Sequence, residues 1–198
     1  MIAKPLLVGL CLFLSGCISE RATSPLRTAT EELLVSSAAD RAADKLAQQI
    51  PANIRAYLDA YIDAPDGIYA TRAIRDRLLR RGIALSDDRA TADVVIEVRS
   101  GALSTDEKTI LLGTPQLTVP IVPGVATTTS GFAVPAINLF KKADTRATAK
   151  FAATGYDTRT GKLVVTTDPQ YGYSHKTDWV ILLFISWTDA DFLDSMMR

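Results

Sequence analysis

The sequence predicts an α+β fold, with two helices packed on one face of a mixed or antiparallel sheet and a long Pro/Gly-rich uncharged loop. Three observations predict it. Periodic segments occur in the order helix, strand, helix, then mostly strands, which places helices against a sheet with little parallel crossover. Both helical stretches carry a 3.6-residue apolar period and end on a breaker, Pro51 and Gly82. The thirty-two residues from Thr109 to Phe140 carry no charge, in a chain of which 22% of residues are charged.

The first residues, MIAKPLLVGLCLFLSGC, combine Lys4, an apolar run from Pro5 to Leu14 and small residues before Cys17. That run is too short to span a bilayer and reads as a cleaved export signal over residues 1–16. Leu14-Ser15-Gly16-Cys17 resembles the lipobox of bacterial lipoproteins, which implies cleavage between Gly16 and Cys17 and lipid on the Cys17 thiol. Acyl chains there would tether the chain to a membrane without spanning it. Ile18 follows in place of Asp, and by resemblance to lipoprotein sorting in a two-membrane envelope this implies the outer membrane, facing the periplasm.

Cys11 leaves with the signal and Cys17 carries lipid, so no thiol remains for a disulfide, a zinc cluster or catalysis. Loss of residues 1–16 removes only Lys4 from a balance of 22 basic and 22 acidic groups. Such neutrality gives no footprint for nucleic acid. Residues 17–27 are the lipidated cysteine and a polar tether, and 28–198 form one domain with enough chain for a real core.

Within that domain, Thr28 and Glu31 have capping-box spacing. Leu34, Val35, Ala38, Ala39, Ala42, Leu46 and Ile50 then line one helical face up to Pro51. NIRAYLDAYID alternates with period two and reads as a strand burying Ile54, Ala56, Leu58, Ala60 and Ile62. The second helix, YATRAIRDRLLRRG, buries Ile74, Leu78 and Leu79 and closes on Gly82 in a left-handed cap. Its far side carries Arg72, Arg77, Arg80 and Arg81, which read first as a solvated face and alternatively as a patch for anionic lipid or glycan. A short strand spans residues 83–85. DVVIEVRSGALS is a strand with Val94, Ile96 and Val98 on one side and a bulge at Gly101. ATAKFAATGYDTRTGKLVVTTD is a hairpin turning at Asp157–Gly161. DWVILLFISWTD has the length of a fully buried strand.

The segments TATEELLVSSAADRAADKLA, ADVVIEVRSGALSTD with LLGTP, and YDTRTGK resemble three blocks of an uncharacterised family of bacterial lipoproteins, a domain of unknown function covering most of the mature chain. More loosely, the strand, helix, strand opening and the D-x-x-T-G hairpin at Asp157–Gly161 are similar to periplasmic lipoproteins built like the curli-secretion channel subunit. That likeness implies a fold and a tendency to oligomerise, and no activity.

Catalytic chemistry is hard to find. His175 stands beside Ser174 and near Asp178, but neighbours on an extended chain point to opposite faces, so these two could not easily share a proton. Ser104 or Ser130 would have to serve instead. Gly155–Lys162 has glycines and a lysine like a phosphate loop, yet Leu163 replaces the metal-binding Ser or Thr and the flanks read as strands. Asp87-Asp88 and Asp189 with Asp191 offer too few oxygens for a calcium loop. No catalytic residue, metal site or cofactor is therefore expected. Tyr57, Tyr61, Tyr69, Tyr171, Tyr173, Trp179 and Trp187 read first as packing, with ligand or head-group contact as the alternative.

In the uncharged run, Pro115, Pro120, Pro123 and Pro135 break any spanning helix and argue against a spanning hairpin. An extended loop remains, one that either covers its own sheet or meets a partner. Leu117, Val119, Ile121, Val122, Phe132 and Val134 are its candidate contacts. The expected role is binding or assembly in the cell envelope, with a homo-oligomer or an envelope protein as partner and no enzymatic activity. The alternative is a carrier of lipid or a small ligand, using the sheet face and an apolar pocket of Trp179, Phe184 and Trp187.

Overall fold

The computed structural model describes residues 27–114, 117–119, 132–134, 137–182 and 184–192. Helix α1 (Ala29–Gln48) starts on the capping box: the Glu31 amide donates to Thr28 Oγ1 at 3.3 Å and the Thr28 amide to Glu31 Oε2 at 2.8 Å. Strand β1 (Arg55–Asp59) leads to helix α2 (Gly67–Arg80), then β2 (Ala84–Ser86). Gly82 supplies the positive φ, +82°, that turns the chain after α2. Leu79, expected in the core, is half exposed, because only Ala70, Ala73, Ile74 and Leu78 face α1 and the sheet.

Two 21-residue strands follow, β3 (Val94–Thr114) and β6 (Ile137–Asp157), with the short pair β4 (Leu117–Val119) and β5 (Phe132–Val134) between them. Strands β7 (Leu163–Thr166), β8 (Gln170–Ile181) and β9 (Ile185–Ala190) complete the chain. The sheet runs β2-β1-β3-β6-β8-β9, with β7 on the β6 edge beyond β8. β1 is parallel to both neighbours, and every other pairing is antiparallel.

The expected fold class needs correcting in its balance: two helices on a mixed sheet are present, but sheet outweighs helix, and among the described residues the ends of the supposed Pro/Gly-rich uncharged loop are strand, β3 and β6 pairing from Val94↔Asp157 to Thr114↔Ile137. Proline placement explains the error. β3 stops just before Pro115, β4 just before Pro120, β5 just before Pro135, and β6 resumes at Ile137. Each proline thus stands at a strand end, where a missing N–H costs the ladder nothing. DWVILLFISWTD is also corrected: it is the end of β8, a turn at Leu182, whose φ is +50°, and β9, and much of it is exposed.

The core lies between α1 and the inner sheet face. Ala147, Ala149, Phe151 and Ala153 of β6 meet Leu34, Val35, Ala38, Ala42 and Leu46 of α1 in one buried cluster. Small residues on both sides let the helix sit close to the strands. The bulge expected at Gly101 is present, as a register shift between Ser100 and Ala102. It switches the inward side of β3 from Val94, Ile96 and Val98 to odd-numbered positions, which keeps Leu103 in the core.

Candidate functional site

The helices cover only part of the sheet. Beyond α1, strands β3, β6, β8 and β9 continue as an arm whose outer face carries two apolar rows. One is Ile110, Lys142, Trp179 and Trp187; the next, nearer the tip, is Leu112, Phe140, Ile181 and Ile185. Trp179 and Trp187 stack at 5.7 Å, 9° from parallel, and Phe140 meets the edge of Trp179 at 5.9 Å. Lys142 Nζ lies 4.9 Å from the Trp179 ring centroid. These contacts add roughly 0.5–1.5 kcal/mol per ring pair and fix the rows as a stiff surface. The surface stays open: Phe184 is 81% exposed, Leu112 64% and Trp187 46%. Leu111 and Leu139 are exposed near the tip as well.

Toward the body, the next outer rows are charged. Lys108, Asp144, Thr177 and Asp189 form one, and Asp106, Arg146 and His175 the other. Asp144 accepts from Lys142 Nζ at 2.9 Å and from Thr177 Oγ1 at 2.9 Å, which holds its carboxyl below the usual range. These groups line a shallow cleft of about 490 Å³. Nearly every charge in it has a neighbour of opposite sign, as suits a solvated surface.

Ser174, His175 and Asp178, set aside as a catalytic trio on sequence grounds, do not form one: Asp178 accepts from Lys176 Nζ and Thr188 Oγ1. Ser174 is fully buried and its Oγ donates to Asp191 Oδ1 at 2.9 Å; His175 Nδ1 lies 3.3 Å from Asp191 Oδ2. The carboxylate stands between serine and imidazole, whereas nucleophile activation needs the imidazole between them. Ser104 sits two strands from β8, about 10 Å away, and Ser130 lies outside the described residues. Asp191 is instead a fastener. Arg41 Nη1 of α1 donates to it at 2.5 Å and the His175 amide at 3.2 Å. Burial pushes the Asp191 carboxyl up, but the bonds from Arg41, Ser174 and the His175 amide outweigh it and hold the carboxyl below its usual range. Sequence reasoning missed Arg41 and the role of Asp191; a lone Arg on a helix otherwise lined with Ala gave no sign of a partner 150 residues away.

The remaining motifs resolve into turns and caps. Asp157 Oδ1 accepts from the Arg159 amide, the Thr160 amide and Thr160 Oγ1, and Gly161 takes φ +68°, so the would-be phosphate loop is a hairpin turn, with Gly155 inside β6. Asp88 caps the 3-10 turn Arg89–Thr91, and Asp87 pairs with Arg75 at 2.8 Å. Arg80 pairs with Asp76 at 2.8 Å on the α2 surface.

The model of a family of unknown function, DUF6655, matches residues 12–196. The chain belongs to that family. No curated protein matches it. The DUF6655 match begins at residue 12, so it takes in Gly16 and Cys17 as well as both helices and the described strands of the arm. Gly16, Cys17, Ile121 and Val122 lie outside the described residues. Of the other candidate contacts in this DUF6655 chain, Leu117 pairs with Val134 and Val119 with Phe132 in the β4–β5 ladder, whose backbone alone is described. Trp179, Phe184 and Trp187 present an open surface on the arm and do not enclose a pocket.

Proposed function

We propose that the chain is a lipoprotein held at Cys17 on the outer membrane, facing the periplasm, which acts by assembling with further copies of itself and performs no catalysis. The lipid anchor rests on Leu14-Ser15-Gly16-Cys17, which resembles a lipobox. Assembly rests on one observation, the two unpaired edges of the arm. Among the described residues, β3 from Ser104 to Thr114 bonds only to β6, and β9 bonds only to β8. Unpaired edges are templates for another strand. β3, β6, β8 and β9 alternate in direction, so β9 of one copy beside β3 of the next continues the same antiparallel order.

The residues at equal height along that junction also match. Following the ladders across the arm, Ile185 stands level with Leu112, Trp187 with Ile110, Thr188 with Thr109 and Asp189 with Lys108. Apolar meets apolar, and opposite charges meet at the base, the pairing that favours a cross-strand neighbour. A head-to-tail contact of this kind repeats from copy to copy.

Light scattering on the lipidated chain in detergent tests the reading. The expected result is an oligomer, shifted toward monomer by Lys108→Glu or Asp189→Lys alone and restored when both are present. A chain that is monomeric at every concentration, or single variants that leave its mass unchanged, would overturn edge-to-edge assembly.

A further inference from the structure

The geometry points to a second membrane contact: we propose that the apolar rows of the arm enter the same lipid surface that holds Cys17, with Trp179 and Trp187 at head-group depth. This rests on the lipid-anchor reading above and adds a contact made by the folded chain itself.

The first support is the direction in which the tether leaves. Gly172 of β8 packs against Ala38 and Ala42 of α1, and Lys45 Nζ donates to the Tyr171 carbonyl at 2.8 Å. Helix numbering therefore falls as β8 numbering rises, and the start of α1 lies at the far end of β8. There Thr28 and Glu31 line a cleft of about 360 Å³ with Lys141, Asp178 and Val180. The start of α1 thus lies at the end of the body from which the arm projects, near the height at which the apolar rows begin but on the opposite, inner face of the sheet.

The second support is length. From the level of Asp178, β3 rises from Thr109 to Thr114, five residues or about 17 Å. Ten residues from Cys17 to Arg27 reach at most about 35 Å. The tether therefore lets the acyl chains and the arm tip occupy one plane with the body upright above it. A body turned over would leave the tip in water and stretch the tether along α1.

The third is chemistry. No charge lies between Lys108 and Lys141; descending from the tip, the first charges are Lys141 on β6 and Lys108 on β3, suited to anionic head groups, and Asp178 on β8 and Asp189 on β9. Apolar side chains are exposed near the tip on β3, β6, the β8–β9 turn and β9: Leu112, Leu139, Leu182, Phe184 and Ile185. Indole rings above an apolar edge, with a lysine stem laid over one of them, match the aromatic belt of a membrane interface.

Both tryptophans of the chain are on the arm, so tryptophan emission, excited at the red edge where tyrosine does not absorb, reports the arm. The full lipidated chain is reconstituted into phosphatidylethanolamine and phosphatidylglycerol vesicles, with and without brominated acyl chains. We expect blue-shifted emission and a loss of about half of it on bromination, as for rings at head-group depth. Phe184→Asp combined with Ile185→Asp should abolish that loss while the chain still floats with the vesicles. Flotation without bromine quenching would leave the anchor standing and overturn the arm's contact. Blue-shifted emission that bromine leaves untouched would assign the rows to a neighbouring copy and overturn it too. Quenching that persists in the double variant would place the contact elsewhere and also overturn it. A chain that fails to float would overturn the anchor and the proposal with it.

Discussion

Replacing Gly172 with alanine should loosen α1 from the sheet. A β carbon at that position would lie 1.9 Å from the Ala38 carbonyl oxygen and 2.6 Å from the Ala42 amide nitrogen. Ordinary contacts need well over 3 Å, so helix and strand must separate by more than about 1 Å. Neither has an easy route, because Lys45 and Arg41 clamp the carbonyls of Tyr171 and Tyr173 on either side of the glycine. Eight buried residues of α1, from Leu34 to Ala47, would lose part of their contact, and a gap of that size forfeits a quarter to a half of each dispersion well. Overpacking against a yielding side chain costs about 1–3 kcal/mol. Here the obstacle is backbone, so the loss should be about 3 kcal/mol or more, or roughly 6–12 °C in Tm for a chain of this size. Urea unfolding followed by circular dichroism measures it. Gly101→Ala is the matched control: its β carbon meets only the movable Lys150 side chain, at 2.9 Å, and should cost less than about 1 kcal/mol. A Gly172→Ala loss no greater than that of the control would refute the clash.

Asp191→Ala removes the acceptor shared by Arg41, the buried Ser174 and the His175 amide, and should cost about 2–3 kcal/mol in urea unfolding, with Asp191→Asn retaining part of it. The Asp191 carboxyl has a folded pKa below its unfolded value. Its contribution is therefore complete above about pH 4 and is lost as pH falls from there through the folded pKa, so acid titration of wild type and Asp191→Ala should converge at low pH. Thr28→Ala breaks the capping box and should cost about 1 kcal/mol, less than Gly172→Ala, because only the first turn of α1 depends on it.

What the sequence disclosed follows from how local the cause was. The capping box, the left-handed Gly82, the bulge at Gly101 and the Asp157 hairpin are each set by residues within a few positions, and each is present. The Arg41–Asp191 fastener and the Gly172 contact join residues more than a hundred positions apart. A glycine inside a polar strand and an arginine on a helix read as ordinary until the strand and helix are laid together. Leu79 was misplaced for a related reason: its helical position faces away from α1, and only the second packing partner decides which apolar residues of a helix are covered.

The uncharged run shows a different failure. Prolines argue against a spanning hairpin only where they would have to donate within the ladder. Pro115, Pro120 and Pro135 stand just past the ends of β3, β4 and β5, so β3 and β6 pair up to Thr114↔Ile137. DWVILLFISWTD was misread in the same direction, since continuous apolarity was taken to mean burial on both faces. In the ribbon beyond the helix layer no described residue covers either face, and an exposed apolar run of this kind marks a contact surface. Trp179, Ile181, Ile185 and Trp187 therefore say less about the core of this domain than about what it touches. The lipid contact proposed above supplies a partner for that surface, and the bromine-quenching experiment decides whether these four residues meet it.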